Sequence, residues 1–176
     1  MRTESGWLKD RIRDVPDFPR PGVVFRDITP LLRDPNAFRA AVDALASRFA
    51  PARPDKVLGI EARGFILAAP VAYRLGAGFV PARKAGKLPS WVEGREYDLE
   101  YGTERLEVHA DAIGEGESVL VVDDVIATGG TATAACELVG RLGGTVAGVG
   151  VVAELAALGG RERLPGVALE SLVRFD

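Results

Sequence analysis

Apolar positions along the chain follow two periods. Phe38, Val42, Leu45 and Phe49 recur at helical spacing, and Asp34-Pro35 before them supplies an N-cap followed by proline at the first helical position. Short apolar runs at residues 23–28, 57–60, 78–82, 106–109, 119–122 and 145–153, several of them rich in valine, read as strands. Residues 64–75, with Pro70 as an expected kink, and residues 131–142 read as helices, and residues 5–13 as a short one around Trp7, Leu8 and Ile12. Residues 14–22 hold three prolines and must be extended or turned. Strands alternating with helices predict an α/β fold, a central and mostly parallel sheet flanked by helices on both faces. Ligands of such sheets sit beyond the carboxyl ends of the strands, where the segments after Ile60, Ala82 and Val122 fall.

Length and composition narrow the class. A chain of 176 residues suits one domain, 1–176, with a full core. A net charge of −3 gives no support for nucleic-acid binding, and no apolar stretch approaches the ~20 residues of a membrane span. The N-terminus lacks the apolar core of a signal peptide, so the expectation is a cytoplasmic protein without disulfides. Cys136, the lone cysteine, falls in a helical pattern and reads as a small core residue. His109 alternates with Leu106 and Val108 and is expected to face solvent.

The candidate chemistry concentrates in residues 119–131, Val-Leu-Val-Val-Asp-Asp-Val-Ile-Ala-Thr-Gly-Gly-Thr. An apolar run, suited to a strand buried on both faces, stops at Asp123 and Asp124. A Thr-Gly-Gly-Thr turn follows, suited to presenting backbone N–H groups to an anion at a helix start. Carboxylates do not bind that anion, so the ligand should carry phosphate at one end and hydroxyls or a metal at the other. A sugar phosphate fits. A plain strand and polar turn is the bland reading, and a response-regulator acid pair is another. The latter would leave well over half the fold downstream, whereas about fifty residues follow here.

Other segments share the strand ends. Glu61-Ala62-Arg63-Gly64 opens a helix and makes either a second anion site or a turn with a solvated arginine. Arg83, Lys84 and Lys87 place three positive charges in five residues, either a solvated basic loop or a screen for phosphate charge. Residues 90–103 are long, polar and glycine-containing, with Trp91, Tyr97 and Tyr101 to close with, and read as a functional loop. Residues 21–30, Pro-Gly-Val-Val-Phe-Arg-Asp-Ile-Thr-Pro, taken alone are an ordinary amphipathic strand.

In order and spacing these segments resemble the type I phosphoribosyltransferases, and residues 21–30 resemble the base-recognition segment of the members that act on adenine. The resemblance runs from about residue 17 to residue 163. It implies transfer of a phosphoribosyl group from phosphoribosyl pyrophosphate to adenine, with Mg2+ held through substrate and water and no direct protein ligand assigned. Asp123 and Asp124 would hold the ribose, and Ala127, Thr128, Gly129, Gly130 and Thr131 the 5′-phosphate. Glu61, Ala62, Arg63, Arg83, Lys84 and Lys87 would face the pyrophosphate, with Arg83 reaching into a neighbouring subunit of a homodimer. Ala62 stands where the family commonly has serine, and a cis peptide often occurs in that loop. Val24, Phe25, Arg26 and Leu155 would take adenine, with Glu154 and Leu155 lining one wall of its pocket. Catalysis would rest on Arg63, Lys84 and Glu100, the last handling the purine proton. Residues 1–30 and the C-terminal segment would form a small hood, and residues 86–103 a mobile active-site loop. Two rivals remain: a transferase for guanine, hypoxanthine or xanthine, and a non-catalytic sensor of phosphoribosyl pyrophosphate. The scarcity of lysine leans against the first, and the acidic balance against the second.

Overall fold

The computed structural model describes residues 6–98 and 102–176. A 3-10 helix (Gly6–Arg11) leads into a two-stranded antiparallel ribbon, β1 (Arg13–Pro16) and β2 (Val24–Asp27). Helices α1 (Thr29–Arg33) and α2 (Pro35–Phe49) follow. The start of α2 is the expected one: the Asp34 carboxylate accepts from the amides of Asn36 and Ala37, and Pro35 needs no acceptor. Then come β3 (Lys56–Ile60), α3 (Arg63–Leu75), β4 (Gly78–Lys84), β5 (Val92–Asp98), β6 (Thr103–His109), β7 (Ser118–Ile126), α4 (Gly130–Arg141), β8 (Thr145–Leu155) and β9 (Leu169–Phe175).

The seven-stranded sheet has the order β5-β6-β4-β3-β7-β8-β9. Strands β4, β3, β7, β8 and β9 pair in parallel, and the β5–β6 hairpin adds antiparallel at one edge. The α/β, mostly parallel architecture is thus as expected. Helices α2 and α3 cover one face, where Leu45, Phe49, Leu67 and Val71 pack with Leu120, Val122 and Val152. Helix α4 covers the other, with Leu138 and Val139 against Leu58, Val121, Val149 and Val151. Valine points to both faces of β7, which explains why that strand reads as an unbroken apolar run. Gly150 of β8 keeps the sheet open for Phe49, because a Cβ there would lie 3.0 Å from its ring.

Two strand readings need correction. Residues 92–98, read as loop, form β5, paired with β6 from Val92↔His109 to Asp98↔Thr103. Strand β7 does not stop at Val122 but runs through both aspartates to Ile126, because β8 continues to pair with it. The C-terminal residues 169–175 form β9, the edge strand of the main sheet, and carry Phe175 toward Arg26 of the ribbon. His109 is only half exposed, its Nε2 lying 2.8 Å from the Pro89 carbonyl. Cys136 packs against the α4 core, and burial pushes its thiol up to about 12, consistent with an inert residue.

Candidate active site

Strand lengths create the site. Pairing between β3 and β7 ends at Gly59↔Val122, while β7 runs four residues further beside β8. The aspartates therefore emerge at a step in the sheet, next to the start of α3. Gly64 permits that approach: a Cβ there would lie 2.8 Å from Asp123 Oδ1 and 3.1 Å from the Val122 carbonyl. Asp123 Oδ1 accepts the Asp124 backbone N–H at 2.8 Å. Asp124 is buried, and Arg63 Nε donates to its Oδ2. The sequence-derived reading left Asp124 free for a ligand; here Arg63 occupies it.

Burial, and then the charge of Asp124, hold the Asp123 carboxyl well above its usual range. A carboxylate raised in the folded state favours folding at pH below its unfolded value. That contribution is lost as pH climbs from the unfolded value through the raised folded one, so the carboxyl costs stability once the pH has passed through that window. Asp123→Asn is accordingly expected to raise the melting temperature of the free protein at pH 7 while cutting turnover. A lowered melting temperature in a scan at pH 7 would contradict this.

Arg63, Arg83 and Lys84 converge on the same edge, each with a carboxylate. The Glu61–Ala62 peptide is cis. Glu61 accepts from Arg83 Nη2 at 3.0 Å, Arg83 Nε at 3.3 Å and the Lys84 amide at 2.9 Å. Arg83 beside it holds the Glu61 carboxyl below the ordinary carboxylate value. Arg83 also donates to the Lys87 carbonyl at 3.3 Å. Glu61 thus clamps the end of β4 through Arg83 and the Lys84 amide. Lys84 Nζ donates to Glu104 at 2.7 Å. Ala62 caps α3 without a side-chain bond.

The glycine turn lies where expected. Gly129 has φ +83°, and α4 begins at Gly130. The first amides of a helix have no partner within it, so this end attracts an anion. Two neighbours unforeseen from the sequence fix the turn. The backbone of Gly160 presses against it: a Cβ on Gly160 would lie 2.4 Å from the Ala127 carbonyl, and one on Gly129 would lie 2.6 Å from the Gly160 carbonyl. From the hairpin side, Tyr97 and the Asp98 carbonyl lie 3.6 Å and 3.2 Å from where a Gly130 Cβ would be. The Gly159-Gly160 dipeptide was the available signal for the first contact; the second depended on finding β5. A cavity of about 670 Å³ opens between hairpin and α4, lined by Arg95, Tyr97, Gly130, Thr133, Glu137 and Arg163 among others. It borders the glycine turn but not the aspartates.

On the ribbon side, Phe25 packs edge-on to Phe18 with centroids 5.3 Å apart, and the Arg63 guanidinium lies 5.1 Å above the Phe25 ring. Arg63 therefore links the aromatic pocket to Asp124. Val24 is exposed. Arg26 pairs with Asp14 and stacks 4.2 Å over Phe175, which sits opposite Leu155 across the β8–β9 pairing. Glu154 is no pocket wall: it is buried, held by Arg161 at 2.6 and 2.9 Å and by the Ser171 hydroxyl at 2.7 Å. Glu100 and Tyr101 lie outside the described residues.

Known proteins match this arrangement throughout. The phosphoribosyl transferase domain is matched over residues 28–165. The adenine phosphoribosyltransferase of Thermobifida fusca is 59% identical over 173 residues, covering 98% of each chain. The crystal structure of adenine phosphoribosyltransferase from Thermoanaerobacter pseudethanolicus superimposes with a TM-score of 0.94 at 48% identity, over 97% of this chain and 99% of that one. The Saccharomyces cerevisiae enzyme, solved with D-2,5-dideoxy-2,5-imino-altritol 1,6-bisphosphate and adenine, matches with a TM-score of 0.91 at 39% identity, over 96% and 97%.

Proposed function

The chain belongs to the phosphoribosyltransferase family, among its adenine phosphoribosyltransferases, and from that premise we propose how its residues divide the work. The reaction transfers the 5-phosphoribosyl group from phosphoribosyl pyrophosphate to adenine, giving AMP and pyrophosphate. The C1–oxygen bond to pyrophosphate breaks, and the bond from C1 to adenine N9 forms.

One observation carries the assignment: a carboxylate pair at a step in the sheet, beside a glycine turn opening a helix. Asp123 and Asp124 take the ribose hydroxyls, and the amides from Thr128 to Thr131 take the 5′-phosphate. The sugar becomes cationic as its bond to pyrophosphate stretches, as in glycoside hydrolysis. Nearby carboxylates favour that cation, while Arg63, Lys84 and the amides after Glu61 favour the departing anion. Adenine lies on Phe25, between Val24, the Arg26 backbone and Leu155. Glu100 accepts the N9 proton, so Glu100→Gln should lower kcat more than adenine affinity; a change in KM alone would make it a binding residue.

The oxygen donors of Asp123 and Asp124 at the strand end suit Mg2+ held mainly by substrate and water. When bound, the ion would supply positive charge to the polyphosphate and ribose oxygens. Ile66, Tyr73 and Phe79 expose 45%, 86% and 39% of their surface on α3 and β4, an apolar face suited to a second copy of the chain. Tyr73→Glu should then lower the mass seen by analytical ultracentrifugation from dimer to monomer. A monomeric wild type would overturn the homodimer.

The reading as a whole is tested by supplying adenine, guanine, hypoxanthine and xanthine, each with phosphoribosyl pyrophosphate and Mg2+. AMP and pyrophosphate should appear in equal amounts, with the oxo-purines at least about a hundredfold slower, since a site matched to an amine leaves polar groups unpaired against a carbonyl. Comparable turnover of an oxo-purine would overturn the base assignment, and absence of any nucleotide product would overturn the catalytic one.

A further inference from the structure

Three of the four cations assigned to pyrophosphate are neutralised within the chain. Arg63 is on Asp124, Arg83 on Glu61 and Lys84 on Glu104. The first two pairs join residues already given roles. Glu104 has none, yet both of its carboxylate oxygens are held. One oxygen accepts Lys84 Nζ at 2.7 Å, and the other accepts the Tyr97 hydroxyl at 2.9 Å. Tyr97 stands beside the Thr131 hydroxyl, and its ring covers Gly130 of the glycine turn. Lys84, on β4, Glu104, on β6, and Tyr97, on β5, therefore form one chain of contacts from the pyrophosphate edge to the 5′-phosphate turn.

We propose that Glu104 is a positioning residue that holds Lys84 when the site is empty and yields it to pyrophosphate, with Tyr97 anchoring the carboxylate that remains. The inference rests on Lys84 being a pyrophosphate ligand, as proposed above. A polyphosphate carries more charge than one carboxylate and wins the ammonium. Lys84 is 55% exposed in the pair, so water solvates it during the exchange. The Tyr97 hydroxyl keeps one partner on Glu104 after Lys84 leaves, so the carboxylate does not follow the lysine toward the incoming anion. The exchange lowers affinity for pyrophosphate, which is also the product that must depart.

The direction of one effect separates this role from a structural one. Glu104→Gln keeps the side chain's shape and its acceptor for Tyr97 but removes the charge competing for Lys84. Calorimetric titration of magnesium pyrophosphate into the full-length protein should then show about three- to fivefold tighter binding, the size of a partly exposed ion pair. In a Lys84→Met background the same substitution should change affinity by less than about twofold, because no ammonium remains to release. A residue needed only to shape the site would weaken binding when changed, and weaker or equal binding by Glu104→Gln overturns the inference. An equal gain with and without Lys84 also overturns it, since the effect would be general charge repulsion. If Lys84→Met alone leaves affinity unchanged, Lys84 is no pyrophosphate ligand and both readings fall. If it weakens binding while Glu104→Gln has no effect, only the present inference fails. Circular dichroism melts of Glu104→Gln and Tyr97→Phe guard against misfolding; Tyr97→Phe, which leaves Glu104 free to follow the lysine, should weaken pyrophosphate binding by about twofold, and unchanged or tighter binding would remove Tyr97 from the inference.

Discussion

Asp124→Asn should cut kcat/KM by about ten- to a hundredfold, the consequence of losing one charge-assisted hydrogen bond of ~1.5–3 kcal/mol to the ribose. The substitution is clean because the asparagine carbonyl still accepts the Arg63 N–H that Asp124 accepts now. The fold and the Arg63 position over Phe25 should survive, and the melting temperature should move by only a few degrees. The charge that orients the sugar and favours its cationic transition state is what disappears. If the loss falls on kcat and kcat/KM alike, the contact is made in the transition state; if KM alone rises, it is made equally in the ground state. Near-normal turnover would refute the ribose assignment.

Gly160→Ala should have a comparable effect from outside the reacting groups. Its Cβ would sit 2.4 Å from the Ala127 carbonyl, 2.9 Å from Ile126 and 3.1 Å from the Gly129 amide. Two of those three contacts are backbone, so no rotamer change relieves them, and the turn carrying the 5′-phosphate amides must shift. A misplacement near 1 Å in a positioning element commonly costs about a hundredfold in rate. KM for phosphoribosyl pyrophosphate should rise by about tenfold or more, with adenine affinity much less affected, since the atoms nearest the added Cβ belong to the phosphate turn and the strand end before it. Unchanged donor kinetics would show that the turn tolerates displacement, and the close packing would then be incidental.

Much of this was legible from particular residues. The aspartates, the glycine turn and Asp34-Pro35 each carry their meaning locally, through a dense apolar run, positive-φ glycine and a capping side chain. What the sequence concealed depends on pairing. Strand β5 is mostly charged and glycine-containing, Glu93-Gly94-Arg95-Glu96, because it is an edge strand, held by β6 on one side and by Arg141 and Arg95 contacts to α4. Strand β7 outran its valines because β8 continues past β3. Glu154 looked like a pocket wall beside Leu155, but strand alternation turns it inward to Arg161 and Ser171. The ion pairs of Arg63, Arg83 and Lys84 bring together residues distant in sequence, so no local pattern announces them.

The most direct test of the donor-site assignment is a crystal structure of the protein with AMP, pyrophosphate and Mg2+. The account predicts the 5′-phosphate on the amides of Thr128 to Thr131, the ribose hydroxyls on Asp123 and Asp124, and Arg63 turned from Asp124 to pyrophosphate. A phosphate seated in the cavity between β5 and α4, with the Arg63–Asp124 pair intact, would contradict it.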